Sequence, residues 1–420
     1  MSLPIDLPVL QNWSCHNCGG CCRQHLVEIT AAEKDRIEKQ RWADDTALGP
    51  GTPAVVPLSP RQKRWRLNQR PDGACVFLDE NGLCRIHAKF GEAAKPLACR
   101  VYPYAFHPAG KNRVTVSLRY SCPSVVGNRG ASAKESAQEI RKIGREVVPK
   151  KKQDYPAPRI SAHESVGWED VGRFVTALDA TFDREQPVLH NLLTAVFWMS
   201  IVDQAKFEDV RGKRLEEFLD LIIAGAAAEV PDDLGEFDPP SRMGRLQFRI
   251  RLGYYARRDT AAMMATGLRG RWRLLSAALG LARGKGQLPM LRDDLPRVPF
   301  EALEQSFGPL PESTDALFAR YFRTKITGMH FCGRAYYDRP LCEGLFSLAL
   351  VFPITLYLAR WIAAADGRST LSDDDLAHAL TIADHNHGYS EALGSTFATR
   401  QVRQLMTLGD LPKLCVWYAR

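Results

Sequence analysis

Hydrophobic and polar residues are patterned differently in the two parts of the 420-residue chain. After residue 160, apolar residues recur at the three- and four-residue intervals that characterise amphipathic helices. We predict helices near 168–178, 189–200, 215–222, 314–327, 344–365 and 372–387. In the last of these, Ser372 stands at the start and Asp375 follows three residues later, as at a capped helix end.

The first part of the chain has shorter and less regular patterns. Residues 112–119 alternate apolar and polar side chains, which predicts a half-buried strand. Residues 64–69 and 74–79 have a strand-like composition around the turn RPDG. Residues 30–40 are predicted to form a helix that begins with a capping box. Residues 43–60 are rich in glycine and proline and are predicted to form a loop.

These patterns predict an α+β protein with two unequal domains. We expect a small cysteine-rich, metal-organised domain over residues 1–130 and a mostly α-helical domain over residues 161–420. Residues 131–160 are rich in lysine and arginine and are predicted to be a basic linker. The first domain has too little regular hydrophobic pattern to fold without its metal.

The charge balance and the apolar segments limit the classes of partner. The net charge of +8 is mild for this length, and the basic run at 141–152 lacks the interleaved aromatic residues that stack on bases. We therefore expect no nucleic-acid partner. The apolar run at 344–366 contains Pro353 and is interrupted by Arg360, so it falls short of the ~20 residues of a membrane span. We interpret it as a buried helix and expect no membrane partner.

The cysteine count bears on the compartment. No signal peptide is recognisable at the N-terminus, so a cytoplasmic location is expected. Thiols stay reduced there, and eleven cysteines in that compartment favour metal binding over disulfides. The oligomeric state is left open by the sequence.

Eight of the eleven cysteines lie in the first 122 residues and are the predicted metal ligands. They are Cys15, Cys18, Cys21, Cys22, Cys75, Cys84, Cys99 and Cys122. The first three form C-x2-C-x2-C, the spacing by which ferredoxin-type segments hold a [4Fe–4S] cluster, and Cys122 precedes a proline as the remote ligand does in such segments. Structural zinc uses the same thiolates, so zinc remains the alternative to an iron–sulfur cluster.

Eight thiols exceed the ligands of a single site. Because neighbouring side chains are expected to diverge, Cys21 and Cys22 are assigned to different groups. We predict one group of Cys15, Cys18, Cys21 and Cys122 and a second of Cys22, Cys75, Cys84 and Cys99. One extended site is the alternative to this division.

Other residues give weaker signals. His25, His87 and His107 lie near the cysteines in sequence and are expected at the surface or behind the ligands. Arginines could offset the negative charge of a thiolate cluster or bind a substrate carboxylate. The candidates are Arg85, Arg100 and Arg119.

A second metal site in the helical part is the less favoured interpretation of its cysteines and histidines. His330, Cys332 and Cys342 lie close in sequence, as do His385 and His387. We expect buried thiols and a polar helix end there instead.

The cysteine motifs also carry a family resemblance. CHNCGGCC, CVFLDENGLCRIHAKFG, KPLACRVYPY and SCPS, over about residues 13 to 124, together resemble the CxxCxxCC zinc- or iron-chelating family, also called YkgJ-type cysteine-cluster proteins. The helical part is similar to the flagellin lysine N-methylase (FliB) branch. This resemblance implies methyl transfer from S-adenosylmethionine to lysine side chains of a protein substrate such as flagellin, with an iron–sulfur cluster held by the cysteines.

Two functions of different class follow. One is a protein-lysine N-methyltransferase, and the other is a non-enzymatic iron- or zinc-chelating or interaction module. No Gly-rich signature of a conventional methyltransferase cofactor site is recognisable, and no catalytic residue can be assigned. S-adenosylmethionine is therefore implied by the resemblance alone.

Overall fold

The computed structural model describes most of the chain. The described residues are 4–7, 11–42, 48–49, 51–59, 64–110, 113–148, 155–206, 210–258 and 268–420. The described strands are β1 (Ile5–Asp6), β2 (Glu28–Ile29), β3 (Val55–Ser59), β4 (Arg64–Leu67), β5 (Tyr104–Gly110) and β6 (Arg113–Leu118). Two further segments, Glu92–Ala94 and Leu234–Glu236, form single 3₁₀ turns.

Helices dominate the chain after residue 160, and the α+β prediction is confirmed. Up to residue 147 the described helices are α1 (Gly20–Gln24), α2 (Ala31–Lys39), α3 (Arg85–Phe90), α4 (Leu97–Val101), α5 (Pro123–Val126) and α6 (Ala137–Val147). From residue 168 they are α7 (Trp168–Phe182), α8 (Val188–Gln204), α9 (Lys213–Ala228), α10 (Arg242–Ala256), α11 (Leu268–Arg283), α12 (Phe300–Leu303), α13 (Ser313–Thr327), α14 (Leu341–Ala349), α15 (Val351–Ala365), α16 (Asp373–Asn386), α17 (Glu391–Gly394), α18 (Thr396–Thr407) and α19 (Asp410–Tyr418).

Two small sheets lie in the first 118 residues. In one, β6 is central, parallel to β1 and antiparallel to β5. In the other, β4 is central and antiparallel to both β2 and β3. The predicted strand at 112–119 is therefore present as β6.

Two local predictions were wrong. The described part of the predicted loop at 43–60 contains β3, because Val55 and Val56 pair with Leu67 and Arg66 of the next strand, β4. The predicted strand at 74–79 is instead a series of turns with only the isolated bridges Gln69–Cys75 and Leu78–Cys84. The Leu78 N–H donates to the Cys75 carbonyl (3.0 Å), which bends this segment rather than extending it.

Both predicted capping arrangements are present. Thr30 and Glu33 form a reciprocal capping box at the start of α2, and Ser372 and Asp375 form another at the start of α16. In each, the hydroxyl accepts the N3 N–H and the carboxylate accepts the N-cap N–H. Two otherwise unpaired backbone donors are satisfied at each helix start.

The core is divided into a smaller and a larger hydrophobic cluster. The smaller one is built around residues such as Ile37, Leu67, Phe77 and Ile86. The larger one runs from Tyr104 on β5 to the C-terminal helix α19. It includes residues before and after the predicted boundary at 130, and α6 lies within the predicted linker and packs on β5. The domain boundaries stay a prediction.

The apolar segment Leu341–Ala365 is a buried core element, as predicted. The expectation that it is too short for a membrane span was wrong, because among the described residues it is long and apolar enough to cross a membrane. Its apolar window is nevertheless 100% buried inside the structure. Arg360 within it is fully buried and donates to the carbonyl oxygens of Leu303, Gln305, Tyr418 and Arg420. These four acceptors explain how the core tolerates its charge.

Candidate metal centre

Helix α1 carries two adjacent cysteines at the start of the site. The left-handed conformation of Gly19 (φ 67°) precedes the helix, a conformation that glycine adopts without a side-chain clash. The Sγ atoms of Cys21 and Cys22 lie 4.0 Å apart. The expectation that these side chains diverge was wrong, because the two sulfur atoms are in contact. This separation is near the ~3.8 Å that two thiolates have on one tetrahedral ion with Zn–S bonds of about 2.3 Å.

Three further cysteines come to α1 from different segments of the chain. The Cys75 N–H donates to the Cys22 carbonyl (2.8 Å). Cys84 is the N-cap of α3, and Cys99 lies within α4. Cys75 is a member of the smaller hydrophobic cluster, and Cys22, Cys84 and Cys99 pack against it. Chain folding thus brings together the four cysteines of the predicted second group.

The pKa values of three thiols are raised by burial and by the neighbouring cysteines of this group. Contact with Cys22, followed by burial, raises the pKa of Cys21 far above its usual range. Burial raises the pKa of Cys75 to about 12, and Cys84 and Cys21 act in the same direction. Burial also raises the pKa of Cys99, as do its neighbours Cys75, Cys21 and Cys84. Without a metal these thiols are protonated at neutral pH, so metal binding must displace protons.

Cys122 lies with Cys18 at the other edge of the site. It is the N-cap of α5, and the charge of Cys18 contributes to raising its pKa, after burial. A side chain added at Gly20 would meet both the Cys18 Sγ and the Pro123 Cδ at 3.5 Å, so these two atoms lie on the same side of α1. Cys15 is exposed, with its Sγ 3.7 Å from the Asn17 side-chain oxygen.

The loop between Cys75 and Cys84 packs closely on the first cysteine loop. Gly82 has φ 79°, and a Cβ there would lie 2.1 Å from the Asn17 carbonyl oxygen. Only glycine therefore allows this approach, which fixes the segment before Cys84 against the segment between Cys15 and Cys18.

Lys95 is a cation close to this group that the sequence analysis missed. Its charge lowers the pKa values of Cys21 and Cys99, against the other influences on them. The Nζ atom also contacts Glu92 at 3.1 Å. Lys95 lies four residues before Cys99, and the only sequence signal was a lysine within the KPLAC segment.

Two of the three candidate arginines have other partners. Arg100 forms a 2.6 Å ion pair with Glu146, and Arg119 lies 3.6 Å from the ring centroid of Tyr389. Arg119 also donates to the His385 carbonyl, which joins the cysteine-rich part to α16. The Nε of Arg85 has no hydrogen-bond partner in the described part of the chain.

The histidines near the cysteines have different surroundings. His87 is exposed, with 55% of its side chain accessible. His25 packs between Tyr102 and His385, with ring centroids 4.8 Å from each. His107 packs on His330 (4.6 Å), a contact with the helical part that the sequence did not indicate.

The cysteines of the helical part are buried thiols, as expected. Cys332, Cys342 and Cys415 are all buried. His330 and His387 are also buried, and the Tyr255 hydroxyl contacts the His387 Nδ1 at 2.9 Å. Their neighbourhood contains an ion pair that the sequence could not reveal. Lys325 Nζ and Asp384 Oδ1 are 2.7 Å apart with no exposed side-chain surface.

This ion pair is connected to the cysteine-rich part. The second carboxylate oxygen of Asp384 accepts the Ser121 N–H (3.0 Å), one residue before Cys122. Lys325 donates to the Leu118 carbonyl (3.1 Å). The helical part therefore holds the backbone that leads into Cys122.

The donor set suits a thiolate-binding metal. Sulfur atoms from α1, α3, α4 and the Cys75 loop line one region, and soft thiolates favour zinc and iron–sulfur clusters. Within the described ranges, no three histidine, cysteine, aspartate or glutamate side chains are already arranged as ligands of one ion. Sites of this kind commonly close only when the metal binds.

Comparisons with known proteins agree with this arrangement. Residues 14–123 match a family model described as "CxxCxxCC: Putative zinc- or iron-chelating domain". A lysine-N-methylase of Salmonella choleraesuis is 32% identical over 113 residues, which are 26% of this chain and 28% of the relative. A lysine-N-methylase of Salmonella typhimurium is 31% identical over 113 residues, again 26% of this chain and 28% of the relative.

A third relative is a flagellar protein. The flagellar biosynthetic protein FliU of Salmonella muenchen is 28% identical over 108 residues, which are 25% of this chain and 62% of the relative. The matches thus span less than a third of the two methylases and less than two thirds of FliU. No solved structure was found to match the chain. Residues 14–123 of this chain are therefore similar to the CxxCxxCC zinc- or iron-chelating domain.

Proposed function

We propose that this protein is an iron–sulfur protein that transfers methyl groups from S-adenosylmethionine to lysine side chains of a protein substrate. The proposed metal site is supported by five cysteines that lie close together, Cys21, Cys22, Cys75, Cys84 and Cys99. Five thiols exceed the four ligands of a single structural zinc. The C-x2-C-x2-C spacing of Cys15, Cys18 and Cys21 supports iron–sulfur over several zinc ions.

All eight cysteines are proposed as ligands. The division into Cys15, Cys18, Cys21 and Cys122 and a second group remains a proposal. Cys21 is a neighbour of both Cys22 and Cys75, which supports one extended site as the alternative. Lys95 offsets part of the negative charge of the thiolates, and the small hydrophobic cluster excludes water from their buried side.

The methyl-transfer part rests on the named relatives. Two of them are lysine-N-methylases, and one is a flagellar protein, which supports a flagellin-type substrate. When bound, an iron–sulfur centre supplies Lewis-acid or one-electron chemistry. Cys15 and Cys18 are exposed, so a protein substrate can approach the centre from that side.

Metal analysis tests the first half of the proposal. Protein purified without oxygen should be brown, absorb broadly near ~400 nm and contain iron with acid-labile sulfide. Cys18→Ser should bleach this band. Cys415→Ser is the matched control, because Cys415 is buried in α19, away from the proposed ligands. Colourless protein with stoichiometric zinc and no sulfide would contradict the iron–sulfur assignment.

Mass spectrometry tests the second half. Incubation of the metal-loaded protein with S-adenosylmethionine and flagellin should add increments of 14 Da, one methyl group in place of a hydrogen, to flagellin lysines. Cys18→Ser should abolish these increments and Cys415→Ser should retain them. Loaded protein that neither binds S-adenosylmethionine nor methylates flagellin would instead support the chelating module.

A further inference from the structure

We infer that helix α11 is a docking surface for anionic membranes, used while the rest of the chain stays in water. Four large apolar side chains of α11 face solvent; Leu274 is 38% exposed and the other three are at least half exposed. Trp272 is 69% exposed, Leu275 is 50% exposed and Leu279 is 51% exposed. Their spacing of three and four residues places them along one side of the helix. We call these three residues the α11 ridge.

The opposite side of α11 is anchored in the protein. Ala277 and Leu281 are buried against the large core, with 8% and 2% exposed. Arg249 of α10 donates to the carbonyl oxygens of Leu281 and Ala282 at the end of the helix. The ridge is therefore held outward by packing and hydrogen bonds on the other face of α11.

Basic residues accompany the ridge. The sequence from Arg257 to Lys285 contains seven arginines and lysines and one aspartate, in a chain whose whole net charge is +8. Arg283 and Lys285 are exposed at the end of α11 and have no ion-pair partner in the described part of the chain. Most of the net positive charge is thus concentrated in the segment that carries the ridge.

An apolar ridge with adjacent basic residues is the pattern of a helix that lies in a membrane interface. Tryptophan and leucine enter the boundary between headgroups and acyl chains, while arginine and lysine bind anionic headgroups. The sequence-based expectation of no membrane partner considered segments that cross a bilayer. A helix lying on the surface does not need the ~20-residue apolar length of a span.

Three other occupants suit the ridge less well. A second copy of the chain would bring like charges together at the same face, which disfavours pairing. Single-stranded nucleic acid needs several aromatic rings for stacking, and the ridge offers one. A folded protein partner would need a groove shaped to a convex ridge, whereas lipid headgroups adapt to it. Charge and shape together therefore favour a fluid anionic surface.

Vesicle flotation of the full-length protein tests this inference. Wild-type protein should float with vesicles containing phosphatidylglycerol and bind about tenfold or more weakly to pure phosphatidylcholine. Trp272→Glu combined with Leu275→Glu should abolish flotation. Leu221→Glu is the matched control, since Leu221 is a 71% exposed leucine on α9, outside the ridge, and this variant should float like wild type.

A charge variant separates the contribution of the basic residues to membrane binding from that of the apolar ridge. Arg283→Glu combined with Lys285→Glu should weaken flotation about tenfold while the ridge is intact, and raised salt should weaken the wild type similarly. Equal binding to both vesicle types would overturn the inference. So would flotation of the Trp272→Glu, Leu275→Glu protein at the wild-type level, or self-association that this variant abolishes. Because the metal and the methyl transfer play no part in the assay, its outcome is independent of the proposed function.

Discussion

At the scale of single residues, Lys325 and Asp384 form a fully buried ion pair in the helical part. Neither side chain has exposed surface, and Asp384 also accepts the Ser121 N–H and the Tyr321 hydroxyl. Removing one partner leaves a buried charge without compensation, which typically costs about 3–5 kcal/mol of unfolding free energy. We therefore expect Lys325→Met to lower the urea midpoint strongly.

A double variant checks the cause of this loss. Lys325→Met with Asp384→Leu removes both charges and should recover much of the stability, because an apolar pair often replaces a buried ion pair at little cost. If the single Lys325→Met variant unfolds at the wild-type urea concentration, the pair does not stabilise the fold.

The buried histidines make stability depend on pH in one direction. Burial, together with the charge of Lys325, lowers the pKa of His107 to about 3. The unfolded chain, with a histidine pKa of about 6.5, binds a proton that the folded protein excludes as pH falls below that value. Stability from His107 is complete above about pH 6.5 and is lost progressively down to about pH 3.

The direction of this pH dependence predicts the effect of replacing His107. Between pH 6.5 and 5.5 the loss from His107 approaches about 1 kcal/mol. His107→Leu should therefore show a shallower decrease in unfolding free energy than wild type over this interval, measured by urea unfolding at each pH. The exposed His87 is the control position. A slope unchanged by His107→Leu would show that this imidazole does not resist protonation in the fold.

At the scale of elements, Glu33 joins two helices that position a candidate ligand. Its carboxylate completes the capping box of α2 and also accepts the Leu97 N–H (2.7 Å) at the start of α4, which carries Cys99. Glu33→Ala removes both contacts, and we expect about 1–2 kcal/mol of destabilisation and a lower metal content per protein. Elemental analysis after gel filtration measures the latter.

A conservative variant and a control complete this test. Glu33→Gln keeps one acceptor oxygen and should retain most of the metal. Glu38→Ala removes an exposed carboxylate of α2 whose ion pair in the described part of the chain is with Lys34, and it should match wild type. Equal metal content in Glu33→Ala and Glu38→Ala would show that the α2–α4 contact does not position Cys99.

Contacts within a few residues made some elements predictable, whereas elements that depend on pairing with another segment were missed. The capping boxes at Thr30 and Ser372 are contained within four residues, so the sequence reveals them directly. Strand β3 could not be recognised, because a segment rich in glycine and proline becomes a strand only through pairing with β4. The eight cysteines are proposed as ligands from their spacing, whereas Lys95 and Asp384 reach their partners through the tertiary fold and could not be proposed from the sequence.

At the scale of the whole molecule, the two hydrophobic clusters should respond differently to loss of metal. The smaller cluster has few apolar residues and shares its surface with four cysteines, whereas the larger one extends through the helices. If the cysteines hold a metal, chelation should increase hydrogen exchange in residues 13–101 and leave α8 and α15 protected. Exchange mass spectrometry with and without chelator measures this. Full protection of residues 13–101 after metal removal would refute the dependence.

The proximity of Cys18 and Cys122 has a consequence for the unfolded chain. Cys18 is on the segment that leads into α1, and Cys122 is tied through its neighbour Ser121 to Asp384 of the helical part. A metal bound by both sulfurs is a covalent cross-link that closes a loop of about a hundred residues. By the chain-entropy argument used for disulfides, such a closure restricts the denatured ensemble by about 4–5 kcal/mol. The bound centre would thus act as a reversible cross-link. It would form when the metal binds and open when the metal leaves, whereas a disulfide needs an oxidant to form.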